Sequence, residues 1–130
     1  MPPLPWMAGP AAGDSPGEVL VMGSTLQLKS FLRMPGFLRA AMAIRRQSLG
    51  ADGCVGVALN TSLPRRTFFT LSAWRDRETL DAFVGSEPHR SFMRRYHPAM
   101  ADSTFVFWNV QPDQLPPSWP QVRERLKAAS

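Results

Sequence analysis

Three strand-like runs in this sequence are largely apolar on both of their alternating faces. In Thr67–Trp74, Phe69, Leu71 and Ala73 oppose Phe68, Thr70, Ser72 and Trp74. In Asp102–Val110, Phe105 and Phe107 oppose Val106, Trp108 and Val110, and near the start Val19 and Val21 oppose Leu20, Met22 and Leu26. A sheet packed on one side and wetted on the other would alternate apolar with polar residues. Strands like these must be covered on both faces. An uncovered face would expose an apolar patch of several hundred Å², at roughly 25 cal/mol of lost burial for each Å².

The intervening segments supply one cover. Met34-Pro35-Gly36-Phe37 opens a helical run to Leu49, with proline suited to its first turn and Phe37, Ala41, Ile44 and Ser48 along one face. Arg39, Arg45 and Arg46 take the other side, and Gly50 and Gly53 end the run. A second strand over Cys54–Leu63 turns at Pro64-Arg65-Arg66 into Thr67–Trp74, a hairpin. Asp76 can cap a helix carrying Leu80, Phe83 and Val84, and after Ser86-Glu87-Pro88 a further helical run carries Phe92, Met93, Tyr96 and Met100. The order is β-α-β-β-α-β, which predicts a ferredoxin-like α+β fold with a four-stranded antiparallel sheet. Two helices cover one sheet face only. The economical cover for the other is a second copy, giving a symmetric homodimer. The rival is a monomer whose own tails fold over the sheet.

Composition sets the remaining bounds. In 130 residues, apolar side chains make up 44% and charged ones 19%, which excludes wholesale disorder. No stretch reaches the roughly 18 apolar residues of a membrane span, so no membrane partner is expected. Of 13 prolines, five fall in residues 2–16 and four in 112–120. That distribution marks a flexible arm over residues 1–17, a body over 18–110, and an extension over 111–130 with a short helix from Trp119 to Ala129. The net charge is +5, but the arginines lie scattered in pairs rather than in a stripe, so no nucleic-acid partner is expected. The single cysteine, Cys54, excludes an internal disulfide, fits a reducing cytoplasm, and reads as a small core hydrophobe. The first residues lack the pattern of a secretion signal. No phosphate loop, dinucleotide glycine fingerprint, paired-histidine metal motif or serine triad occurs, so no nucleotide cofactor and no metal are expected. Gly50-Ala-Asp-Gly53 reads as a turn.

The stretch from Thr67 through Trp74, Asp76, Leu80 and Phe83 to Pro88-His89, together with Phe31–Gln47 and Phe105–Val110, resembles the dimeric α/β-barrel superfamily. It is most similar to the antibiotic-biosynthesis-monooxygenase-like branch and to small spheroidene-monooxygenase-like proteins of actinobacterial type. The resemblance spans about residues 18–110. It implies a small dimeric, monooxygenase-like enzyme of secondary metabolism that oxidises or rearranges an aromatic or polyketide-like molecule. Cyclisation or isomerisation is a variant of that chemistry. The superfamily also includes haem degraders, with a tryptophan on the second helix and a histidine about ten residues later. Phe83 and Met93 occupy those places here, so that pair is absent. Haem held by His89 or His97 is the second reading, and a non-catalytic small-molecule-binding accessory protein the third.

Within that frame each candidate has a chemical reason and a plain structural alternative. His89, at a helix start where neutral imidazole is favoured, is the expected general base; otherwise it packs or caps. Tyr96, seven residues on, and Asn109 would orient an oxygen atom of the substrate; otherwise they are core and strand end. Trp74, Phe92 and Trp108 would wall the pocket, and Thr70 and Ser72 would supply small polar groups on an apolar lining. The two hydroxyls could equally bond locally or at a dimer seam.

Overall fold

The computed structural model describes residues 4–13 and 17–129. Five strands form one antiparallel sheet: β1 (Leu4–Ala8), β2 (Val19–Leu28), β3 (Cys54–Ser62), β4 (Thr67–Trp74) and β5 (Met100–Val110), in the order β1-β3-β4-β2-β5. Four helices accompany them: α1 (Met34–Ser48), α2 (Arg77–Val84), α3 (His89–Tyr96) and α4 (Trp119–Ala129). Apart from β1, this is the ferredoxin-like order expected from the sequence.

The sheet has five strands rather than four. Within the segment read as an arm, Leu4–Ala8 adds an edge strand, pairing Leu4 with Leu59 and Ala8 with Gly56. The lack of a side chain at Gly56 makes room for it, since a Cβ there would lie 2.2 Å from the Trp6 ring. Beyond β1, the N–H of Gly9 donates to Val55 O at 2.9 Å, and that of Ala11 to Cys54 O at 2.8 Å.

β2 is central and fixes both faces. It pairs Ser24 with Thr70 of β4 and with Phe105 of β5, and Val21 with Ala73 and Trp108. Residues of β2 and β4 with even numbers therefore face α1, α2 and α3, together with odd-numbered residues of β5. α1 starts with Pro35 in its first turn and buries Met34, Phe37, Ala40 and Ser48. α2 begins in a reciprocal cap, with Asp76 accepting from the N–H of Thr79 at 2.9 Å.

The opposite face carries Val19, Val21, Leu71, Ala73, Val106, Trp108 and Val110, all buried. Its cover is the chain itself. α4 lays Val122 and Leu126 onto it, with Ala11, Leu115 and Trp119 around them. Val122 is 0% exposed, and its Cγ1 would lie 3.2 Å from a Cβ at Gly23. Burying these two aliphatic side chains contributes about 1.5–3 kcal/mol each. The face assigned by sequence to a second copy is thus shielded within one chain, and a twin is not needed to close it. Among the described residues no helix is long and apolar enough to cross a membrane.

Candidate functional site

Between the sheet and α1 lies a cavity of about 110 Å³. Its floor is Met22, Ser24 and Leu26 of β2 with Thr70, Ser72 and Trp74 of β4; α1 contributes Phe37, Ala41, Ile44, Arg45 and Ser48 above. Phe83, His89, Met93 and Phe105 complete the wall. Met22, His89, Met93 and Phe105 also line an adjoining groove of about 410 Å³, which continues past Val84, Arg90 and Phe107. Phe105 and Phe107 remain 45% and 41% exposed on this side, because β5 is an edge strand that α2 and α3 do not fully cover.

The polar groups of the floor are tied to one another. Ser24 Oγ and Thr70 Oγ1 share a hydrogen bond, and Trp74 Nε1 donates to Ser72 Oγ at 2.9 Å. The Trp74 ring packs on Phe83 at 4.8 Å between centroids, and Phe83 on His89 at 5.0 Å.

Two polar atoms bordering the cavity have no partner. His89 Nδ1 and Arg45 Nε are both sealed from solvent without a hydrogen bond. Leaving such a group unsatisfied costs about 1–3 kcal/mol. Burial lowers the pKa of His89 below its ordinary value and so favours neutral imidazole; a hydrogen bond with the Val84 backbone acts weakly the other way. The start of α3 is fixed from α1, where Gln47 Oε1 accepts the N–H of His89 at 2.9 Å.

The structure therefore gathers His89, Thr70, Ser72 and Trp74 around one space. Five other candidates lie elsewhere. Tyr96 is buried beside Gly36 and packs edge-on to Phe37 at 5.4 Å, and Phe92 packs into the same cluster. Asn109 is exposed near the end of β5, opposite Leu20. Trp108 is on the other sheet face, under α4, with the Arg125 guanidinium 4.6 Å above its ring. Alternation along β5 forbids Trp108 from sharing a wall with Phe105. His97 is exposed in the turn after α3.

Sequence reading missed Arg45, Ser24, Met93 and Gln47. Arg45 was assigned to the solvent side of α1, yet it stands four residues after Ala41 and three before Ser48, both cavity residues. Ser24 continues the alternation of Met22 and Leu26. Cys54 is buried, and its thiol is pushed up to about 11 by desolvation, which leaves it an unreactive core residue.

The family model described as a domain of unknown function, DUF3291, matches residues 31–129. A search of curated proteins finds no match. Among solved structures the chain is similar to a protein of Nitrosomonas europaea, provisionally described as an antibiotic biosynthesis monooxygenase, at 17% identity and a TM-score of 0.67, over 78% of this chain and 95% of that one. It is also similar to a protein of Deinococcus radiodurans with the same provisional description, at 12% identity and a TM-score of 0.63, over 70% and 91% of the two chains. A Lactobacillus acidophilus protein provisionally described as a monooxygenase matches at 11% identity and a TM-score of 0.66, over 81% of this chain and 48% of that one. Likeness at these identities concerns the fold. The chain belongs to the DUF3291 domain family and has the ferredoxin-like α+β fold of the antibiotic-biosynthesis-monooxygenase-like proteins.

Proposed function

We propose that this protein is a small monooxygenase-like enzyme that oxidises one ring of an aromatic or polyketide-like molecule without a nucleotide cofactor. The observation that carries the reading is His89, a half-buried imidazole that lines an apolar cavity and whose Nδ1 has no hydrogen-bond partner. An imidazole kept neutral by burial is suited to take a proton.

The cavity is smaller than the 150 Å³ or so that holds a benzene molecule in an engineered apolar void. It takes the edge of one ring, and the rest of a polycyclic ligand lies along the groove against Phe105 and Phe107. His89 removes a proton from an acidic ring hydroxyl or methylene. The electron-rich anion reacts with dioxygen. For a methylene carried to a carbonyl, the carbon gives up four electrons, one oxygen atom stays on it, and the other leaves as water. Phe37, Phe83 and Met93 keep bulk water from the reacting edge.

Haem does not fit these residues. A cavity of about 110 Å³ cannot admit a macrocycle, and His97 stands outside both spaces. The test is oxygen uptake with anthrone-type and naphthol-type compounds. Turnover should fall at least about a hundredfold in His89→Ala, in line with the loss of a general base. Full turnover in His89→Ala would remove its role. Saturable binding without oxygen uptake or product would favour the accessory binding protein.

A further inference from the structure

We infer that the cavity binds a planar anion, with the Arg45 guanidinium as its counter-charge. The inference rests on the reading of this cavity as the ligand site. Arg45 is a permanent cation on α1 whose Nε is sealed from solvent without an acceptor. Among the described residues no carboxylate stands within ion-pair distance of it. The cavity lining contains no acidic side chain. In the adjoining groove the charged residues are Arg77, Arg90 and Asp81, and Asp81 already accepts from Arg77 Nε at 3.1 Å. His89, the remaining titratable group at the site, is held toward its neutral form.

The cavity lining thus includes one guanidinium and no carboxylate. A guanidinium bordering such a space is best satisfied by an oxyanion on a flat ligand, because its fork of donors matches two coplanar oxygens or one oxygen held between two N–H groups. The hydroxyls of Ser24, Thr70 and Ser72 on the floor can serve the ligand's neutral oxygens. An aryl carboxylate and a ring phenolate share this chemistry.

The probes are benzoate and benzamide, flat molecules of equal size differing in charge, titrated calorimetrically into the full chain. Benzoate should bind at least about tenfold more tightly, the scale of one charge-assisted hydrogen bond. Arg45→Met should erase that preference, Arg45→Lys should keep part of it, and Arg39→Met, on the exposed side of α1, should retain it. Thermal unfolding confirms that each variant is folded. Equal binding of the two probes, absence of saturable benzoate binding, or an unchanged preference in Arg45→Met overturns the inference. The absorbance of bound 4-nitrophenol separates the two sources: an ionised bound form assigns a phenolate site, and a neutral one a carboxylate site. A benzoate preference without oxygen uptake on phenols would overturn the proposed oxidation and leave the anion site standing.

Discussion

Gln47 Oε1 on α1 accepts the backbone N–H of His89 at 2.9 Å, while Gln47 Nε2 donates to Phe83 O at 3.5 Å. One side chain of α1 therefore holds both the first residue of α3, 42 residues away in sequence, and the end of α2. The N–H it serves is one of the orphan donors at a helix start. Gln47→Leu should lower stability by about 1–3 kcal/mol, since it leaves a half-buried amide unpaired. It should also lower kcat more than it raises KM, because it loosens the His89 ring without touching the groove. Urea unfolding and steady-state oxygen uptake check the two effects separately.

The buried imidazole sets a pH dependence of defined sign. The pKa of His89 in the folded chain lies below its ordinary 6.5, so between those two values the unfolded chain binds the extra proton. Stability should rise with pH through that window and level off above about 6.5. Arg45 and Arg90 border the same spaces as His89. His89→Gln should flatten this part of the profile in denaturant unfolding measured from pH 4 to 8 or so. Proton abstraction should likewise persist below pH 6.5 and fail only near the lowered folded pKa.

α4 should behave as part of the core. Val122→Ala should cost about 1–3 kcal/mol, for lost burial and the cavity left against Val106 and Trp108. Val122→Asp should cost at least about 3 kcal/mol, because it buries a carboxylate among aliphatic side chains. Thermal unfolding measures both. A Val122→Asp protein that unfolds like the parent would mean that α4 leaves the sheet in solution.

Phe105 and Phe107 should matter for the ligand and little for the fold. Both are about half exposed on the edge strand beside the groove, so Phe107→Ser should change stability by less than about 1 kcal/mol. It should weaken binding of a polycyclic ligand about tenfold and of benzoate by less, since a polycyclic ligand lies along more of the groove. Calorimetry with the two ligand sizes distinguishes the outcomes.

The strand and helix order, the caps and the two faces of the sheet were legible because they depend on local periodicity. Period-two alternation placed Thr70, Ser72 and Trp74 together and set Trp108 against Phe105, although Trp108 was still assigned to the pocket beside them. The stripe on α1 was legible only at its centre. Arg45 sits at its flank, where a helical position can turn to solvent or to a cavity, and nothing in the local pattern chooses. β1 was hidden because Pro5 and the surrounding prolines and glycines have the composition of a loop, and an edge strand tolerates them.

By itself the sequence determined that both sheet faces must be covered, since alternation assigns each side chain to a side. Only the tertiary structure decided that α4 lies over one of them. It also decided that Arg45 and His89 meet at one cavity. Periodicity fixes the direction in which a residue points but not what the chain later lays against it, and that is a matter of contacts between segments far apart in sequence.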